Sequence, residues 1–468
     1  MMLADWLRKT KGLPGTKIVC AEGDCGACTV LRACETPGVE ADSAPRFDAM
    51  NSCIALLAQM DGAHVVTVEG MQAGEELAPA QEAMRRCHGS QCGFCTPGFV
   101  MAISGMLEQH GPGPVDARCA RNHLTGNLCR CTGYAPIVEA ACTVRVSERH
   151  AVGPRYATAA ALAASRAAQA ESMLVEHDGF RFSAPVTLRE ACTFAAEHPD
   201  LRVVGAGTDL GVPVNKGRPM ARSMLSLHLI PEVHESRLTR SAVQVGARVP
   251  LSQLRHLCDE AVPEFARFLD LFASPQIKDV ATLVGNIATG SPIGDTLPFL
   301  LVAGGTVHVA SRPGGKGPVQ RRAIPMADLY RGYRQLSLQP GEIITHVTFE
   351  RTAPQQTVRL FKVSQRKDLD ISTVSAAYAV TWQGKRGRGP RQIVEARVAY
   401  GGVAATPIRL AEVEQALVGA FDAARAEQVA ELIARSIEPL SDVRGTAAYR
   451  SVLAANLFRQ FAGEVLHG

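Results

Sequence analysis

The chain has 468 residues, a 46% hydrophobic and 20% charged composition, and 49 basic against 45 acidic side chains, a net charge of +4. At about 150 residues per domain it is long enough for about three folded units, and so small a charge excess gives no reason to expect nucleic acid or an anionic membrane as partner. The longest apolar run, Leu297–Ala303, is too short to span a bilayer, and the first ten residues lack the apolar core of a signal peptide, so a cytoplasmic protein is expected.

Residues 1–70 form the first expected unit. Asp5 to Thr10 reads as a short helix, and Cys28 to Arg32 and His64 to Val68 read as strands. Between them lies Cys20-Ala-Glu-Gly-Asp-Cys25-Gly-Ala-Cys28, completed by Cys53. This C-x4-C-x2-C order with a distant fourth cysteine is the plant-type pattern for a [2Fe-2S] cluster. Gly23, Gly26 and Ala27 let backbone N–H groups approach the anionic sulfurs. Cysteines so paired in a cytosolic chain point to metal rather than disulfides. Zinc is the alternative, although zinc sites usually pair two short motifs.

Residues 71–145 form a second, helical unit. Cys92-Gly-Phe-Cys95 alone would also suit a redox pair or half a zinc site. Cys129-Arg-Cys131 completes it, because two thiolates around one residue suit one iron of a two-iron cluster, with zinc the alternative on spacing alone. A helix is expected from Thr96, with Thr96 as cap and Pro97 in the first turn, its positive end toward the cluster. Another helix is expected from near Pro136.

Residues 146–172, including the alanine-rich Ala157–Ala170, read as a linker, either an exposed helix or a mobile connector. From 173 to 350 strand and turn patterns dominate. Leu201-Arg-Val-Val-Gly-Ala-Gly-Thr208 reads as a strand and tight loop that can offer N–H groups to phosphate. It is not a dinucleotide fingerprint, since Leu210 stands at the third glycine position. A helix is expected at Leu251 to Glu260. Phe272 to Asp295 is dense in glycine and hydroxyl residues, suited to wrap a diphosphate and ribityl chain. Residues 351–468 form the last unit. Ile343 to Phe349 and Arg397 to Tyr400 read as strands, and Pro407 to Leu417 and Ala424 to Ile437 as amphipathic helix. Cys34, Cys87, Cys119, Cys142, Cys192 and Cys258 read as small apolar residues. The thirteen histidines show no ligand-spaced pair, so no further metal site is expected.

Gly89-Ser-Gln-Cys-Gly-Phe-Cys-Thr-Pro-Gly-Phe-Val100 and Gly126-Asn-Leu-Cys-Arg-Cys-Thr-Gly-Tyr134 closely resemble the second iron–sulfur domain of molybdenum hydroxylases. The resemblance extends from Leu3 to about Leu466. It implies an α+β multidomain chain: a β-grasp [2Fe-2S] domain, a helical [2Fe-2S] domain, a vanillyl-alcohol-oxidase-type FAD domain and a C-terminal α/β flavoprotein domain. It implies cluster ligands Cys20, Cys25, Cys28 and Cys53, then Cys92, Cys95, Cys129 and Cys131, with Gln91 and Cys131 next to the pterin of a molybdenum cofactor. FAD contacts carried over are Val204, Gly205, Ala206, Gly207, Thr208, Asp209, Leu210, Phe272, Thr282, Gly285, Asn286, Thr289, Asp295, Ile344 and Lys362. Phe361–Ser372 resembles the flavin-proximal loop, with Asp370 near the flavin edge where nicotinamide would dock.

Ending before any molybdenum domain, the chain is similar to the small subunits of bacterial xanthine dehydrogenases. The resemblance implies an oxidoreductase passing electrons from a large molybdenum-binding subunit, in an α2β2 assembly, through both clusters to FAD and NAD+. Purine oxidation, xanthine or hypoxanthine to urate, would occur on that partner. Aldehyde or N-heterocycle oxidation is the related alternative; a zinc scaffold and a self-contained flavin–iron–sulfur reductase are the others. Members of the family begin with a β-hairpin ahead of the helix matched by Leu3 to Thr10. This chain starts at that helix, which implies a β-grasp domain without its N-terminal hairpin, an exposed strand edge and a native start upstream of Met1.

Overall fold

The computed structural model describes residues 1–38, 45–111, 113, 115–145, 151–383 and 391–467. Residues 146–150 of the expected linker lie outside them. The first module is a three-stranded antiparallel sheet in which Thr29–Ala33 lies between Asp48–Asn51 and His64–Val66. Helix Leu3–Lys9 packs on it through Leu3 and Leu7, against Val30 and Met50. Among the described residues His64–Val66 pairs with no strand on its other side. Beside Val65 lies an apolar groove of about 520 Å³ lined by Leu3, Trp6, Leu7, Leu57 and Met60.

The second module holds helices Pro79–Arg86, Thr96–His110, Ala117–His123 and Ala135–Thr143 around a core of Phe99, Ile103, Met106, Ile137 and Ala140. The expected cap at Thr96 is not made. Cys95 occupies the cap position without a side-chain bond, and the Thr96 hydroxyl donates to Ser90 Oγ at 2.8 Å. The alanine-rich stretch is a helix, Ala159–Gln169, capped by the Thr158 hydroxyl. It is tied back to the first module: Arg166 pairs with Glu35, and Gln169 Nε2 donates to the Glu35 carbonyl.

The third module has two sheets. One orders Met173–His177, Phe180–Ala184, Ser223–Ser226 and Arg202–Val204, with parallel pairing on both sides of Ser223–Ser226. The other is antiparallel, with Ile343–Glu350 at its centre between Thr306–Ser311 and Ala242–Gly246. The period-2 burial of Ile343–Glu350 puts alternate residues into a core that includes Phe265, Phe299 and Phe349. The fourth module is an antiparallel meander of Gln356–Val363, Val374–Trp382 and Arg391–Gly401, backed by helices Ala423–Arg435 and Ala447–His467. The expected helix from Pro407 starts at Ala411. Ile408–Arg409 instead forms a short strand paired with Ala399 and Tyr400, so sheet pairing overrides the amphipathic pattern. Phe361–Val363 likewise belongs to a strand rather than a loop. Among the described residues no helix is long and apolar enough to cross a membrane.

Candidate metal centres and cofactor site

The loop from Cys20 to Cys28 folds around its own sulfurs. Backbone N–H groups of Glu22 and Cys25 both donate to Cys20 Sγ at 3.4 Å. Positive φ at Ala21, Gly23 and Gly26 turns the chain tightly enough for this. The Cys20 thiol is held far below its ordinary value by hydrogen bonds with Cys25 and then Cys53, and Cys28 is held low by Cys53. Cys25 and Cys53 are correspondingly pushed up, in both cases first by their contact with Cys20. The four sulfurs therefore lie in one connected group, with Cys20 facing both Cys25 and Cys53, and Cys53 facing Cys28 as well.

In the second quartet the sulfurs pair across the two motifs, not within Cys129-Arg-Cys131 as the spacing suggests. Cys131 Sγ lies 3.5 Å from Cys92 Sγ, and Cys95 hydrogen-bonds Cys129. The Phe94 N–H and the Cys131 thiol lower Cys92, while burial and Cys129 push Cys95 up to about 12. At Cys129 burial opposes ionisation, but hydrogen bonds led by the Thr132 hydroxyl outweigh it. Tyr134, in a left-handed conformation at φ 68°, accepts the Cys129 N–H at 3.1 Å through its hydroxyl. Helix Thr96–His110 begins at once after Cys95, so its positive end lies beside the sulfurs. Gln91, Cys92, Phe94, Leu128, Cys131 and Tyr134 are all exposed, giving this quartet an apolar-rimmed open face.

In neither quartet do three sulfurs lie within 4.8 Å of one another, among the described residues. A tetrahedral zinc thiolate would draw all four to separations of about 3.8 Å. Sulfurs spread more widely than that suit two irons instead.

The two glycine loops face each other. Gly205 follows strand Arg202–Val204, and a Cβ on it would lie 3.6 Å from the Thr282 hydroxyl. Gly207 takes φ 76°, and Ala206, Thr208 and Leu210 are half-buried while Asp209 is exposed. Thr282 caps helix Leu283–Thr289 by accepting the Gly285 N–H, and Thr289 Oγ1 donates to the Gly285 carbonyl. Asn286 Oδ1 accepts from Thr296. Two facing N–H-rich turns are what a dinucleotide diphosphate needs.

Lys362 Nζ meets Asp295 Oδ2 at 2.6 Å, both side chains under 10% exposed, and sits 5.8 Å from the Phe272 ring centroid. Ile344 is buried in the central strand opposite Val309. Asp370 spends its oxygens on its own turn, accepting the N–H groups of Arg366 and Ile371. Burial opposes its charge, yet those two bonds hold its carboxyl low.

Contacts between modules were not foreseen. The Leu128 N–H donates to the Cys25 carbonyl at 3.0 Å. On the opposite side Asn215, in the helix after the first glycine loop, donates to the carbonyls of Ala21 and Cys53, each at 2.8 Å. Gln59 Nε2 reaches the Gly205 carbonyl at 2.7 Å. Backbones meet so closely that a Cβ on Gly98 would lie 2.3 Å from the Gly26 carbonyl oxygen, and one on Gly26 2.2 Å from that of Gly126. The only sequence signal was polar residues set among small ones, as at Asn127 and Gln276. A further group, His110, Cys119 and His123, also converges, against the expectation that no histidines would do so and that Cys119 is merely apolar filling. Its signal in the sequence is Cys-x3-His, one helical turn apart.

Three family models match the chain: a [2Fe-2S] binding domain over residues 67–142, the FAD binding domain in molybdopterin dehydrogenase over 178–349, and the CO dehydrogenase flavoprotein C-terminal domain over 359–465. Xanthine dehydrogenase of Drosophila subobscura is 33% identical over 97% of this chain and 37% of its own length. That of Oryza sativa subsp. japonica is 28% identical over 100% and 38%. The chain thus spans less than two-fifths of these relatives. Among solved structures, quinoline 2-oxidoreductase from Pseudomonas putida 86 matches with TM-score 0.54 and 24% identity, covering 62% of this chain and 98% of that one. Carbon monoxide dehydrogenase from Hydrogenophaga pseudoflava matches with TM-score 0.54 and 24% identity, covering 60% and 95%. At that identity both speak for the fold.

Proposed function

This chain belongs to the molybdenum hydroxylase family as its iron–sulfur and flavin portion, and from that premise we propose that it relays electrons from a molybdenum–pterin centre on a large partner subunit toward NAD+. Cys92, Cys95, Cys129 and Cys131 would hold the cluster nearer the partner, and Cys20, Cys25, Cys28 and Cys53 the one nearer the flavin. The loops at Val204–Leu210 and Thr282–Asp295, with Phe272, Ile344 and Lys362, would hold FAD. Bound there, the clusters supply one-electron carriage and the flavin gathers electrons in pairs for hydride transfer.

The carrying observation is the position of the Cys20–Cys28 loop. It accepts a backbone bond from Leu128, next to Cys129, on one side, and its neighbours are gripped by Asn215 of the flavin module on the other. These contacts support the first quartet as the middle member of the series. The open face at Gln91, Phe94, Leu128 and Tyr134 is where the partner would dock, with Gln91 and Cys131 toward the pterin. Asp370 serves as the turn that shapes the flavin-proximal segment.

The substrate proposed is a purine, xanthine or hypoxanthine, on the strength of the relatives' names. The assembly would be an α2β2 complex in the cytoplasm. Tagging the chain in its host, purifying what accompanies it and assaying xanthine-dependent NAD+ reduction tests this. Activity with a molybdenum-containing partner is expected. Such a partner without xanthine turnover would move the substrate to aldehydes or N-heterocycles. A lone chain reducing NAD+ from another donor would overturn the relay.

A further inference from the structure

The electron path makes no use of the trio at the far end of helix Thr96–His110. His110 stands in the last turn of that helix, about 22 Å along its axis from Cys95. Cys119 and His123 are one turn apart on helix Ala117–His123, so both side chains project from one face toward His110. Asp116 caps this short helix by accepting the Cys119 N–H at 2.7 Å, which fixes where Cys119 starts. Cys119 Sγ lies 3.2 Å from His110 Nε2 and 3.8 Å from His123 Nδ1. All three ligand atoms fall within 4.8 Å of one another.

From these contacts we propose that His110, Cys119 and His123 bind a single zinc ion. Zn–S of about 2.3 Å and Zn–N of about 2.0–2.1 Å in a tetrahedron give sulfur-to-nitrogen separations of about 3.6 Å, between the two distances seen. A thiolate with two imidazoles and no carboxylate favours zinc over magnesium or calcium. Three protein ligands leave a fourth position, and His110 is exposed, so water can fill it.

The surroundings orient one ligand as a metal site requires. His123 Nε2 faces Gln109 Oε1 at 3.2 Å. The Gln109 amide cannot be turned round, because its Nε2 donates to Asp279 Oδ2 at 3.1 Å and to Asp48 Oδ1 at 3.3 Å. When the proton of this neutral ring is on Nε2, it is donated to Gln109 and the Nδ1 lone pair is left for the metal, the outer hydrogen bond that ligating histidines usually make. Nδ1 also lies 3.2 Å from the Cys119 carbonyl, a contact that takes the proton on Nδ1, so metal binding selects the other tautomer and draws the ring away from that oxygen. The ion would lie at the negative end of the long helix. Asp48 belongs to the first module and Asp279 to the third, so through Gln109 the ion would brace three modules.

The test uses the full chain with both clusters and flavin in place. Loosely held metal is removed by dialysis against a chelator, with iron retention checked, and zinc is then titrated back. One zinc per chain should bind, with zinc-edge absorption showing one sulfur and two imidazole nitrogens. His110→Ala, at an exposed position, and Cys119→Ser should each weaken zinc binding by about 100-fold, and Gln109→Ala by about 10-fold, while iron and flavin content stay unchanged. Equal zinc uptake by wild type and His110→Ala would overturn the proposal. So would a sulfur-only shell, which would place zinc in a cysteine quartet, or a preference for copper(I) over zinc.

Discussion

Gln276 Nε2 donates to Asn127 Oδ1 at 2.7 Å, and this bond ties the segment before the second glycine loop to the strip that carries Cys129 and Cys131. Both side chains are buried, Asn127 Nδ2 continues to the Gly26 carbonyl at 3.1 Å, and Gln276 touches Thr29 at 3.5 Å. Three modules meet on two amides. Gln276→Ala would leave the buried Asn127 oxygen unpartnered, at about 1–3 kcal/mol. Chemical unfolding followed by the flavin and cluster chromophores checks this. Loss should appear in both signals together; a wild-type midpoint would remove Gln276 from the junction.

Gly98→Ala is a more severe probe. The added Cβ would meet the Gly26 carbonyl at 2.3 Å, and this is backbone that cannot swing aside. Over-packing of this kind costs about 1–3 kcal/mol, and here it pushes the two cysteine quartets apart. Iron per chain, with electron paramagnetic resonance of the reduced protein, should show one or both cluster signals weakened. Full iron and unchanged spectra would count against so tight a fit.

Lys362 and Asp295 form a buried pair whose partners depend on each other. Removing the cation alone, as in Lys362→Met, strands a buried carboxylate and should cost about 3–5 kcal/mol. Combining Lys362→Met with Asp295→Leu should recover much of that stability without restoring flavin binding. Thermal unfolding and the ratio of flavin absorbance to protein separate the two effects. Recovery of flavin in the double variant would mean that the pair does not line the flavin site.

Asp279 predicts a pH dependence. Burial, then the Asp48 carboxylate, pushes its carboxyl from 3.8 up to about 7, against the opposing pull of Ser252, Arg46 and Gln109. In that window the folded chain keeps a proton that the unfolded chain releases. Stability therefore falls as pH rises toward 7 and levels off above it. Asp279→Asn should flatten this slope. Unfolding midpoints measured across the window in both proteins decide the matter, and parallel slopes would refute it.

That the eight cysteines gather in two quartets could be read in the sequence because their spacing is local. The glycine loops were readable for the same reason. What escaped was set by tertiary pairing. Ile408–Arg409 carries a helix-compatible pattern, but the edge of Arg391–Gly401 at Ala399 and Tyr400 claims it as a strand. The Thr96 hydroxyl turned to Ser90 rather than to its own helix. Asn215, Gln59 and Gln276 act across gaps of more than a hundred residues, and no local pattern marks such partners. His110, Cys119 and His123 straddle two helices, so only the fold shows that they meet.

The backbone-to-backbone contact of Gly26 with Gly98 and Gly126 also has a kinetic meaning. Tunnelling rates fall exponentially with the gap between carriers, so a relay is only as reproducible as that gap. Where side chains fill the space, rotamer changes lengthen or shorten it from moment to moment. Here glycine backbones meet directly, and the side chains beside them, Asn127 and Gln276, are buried and hydrogen-bonded to each other, which leaves the interval little room to vary. The junction works as a ruler, and the amides of Asn127 and Gln276 hold its setting.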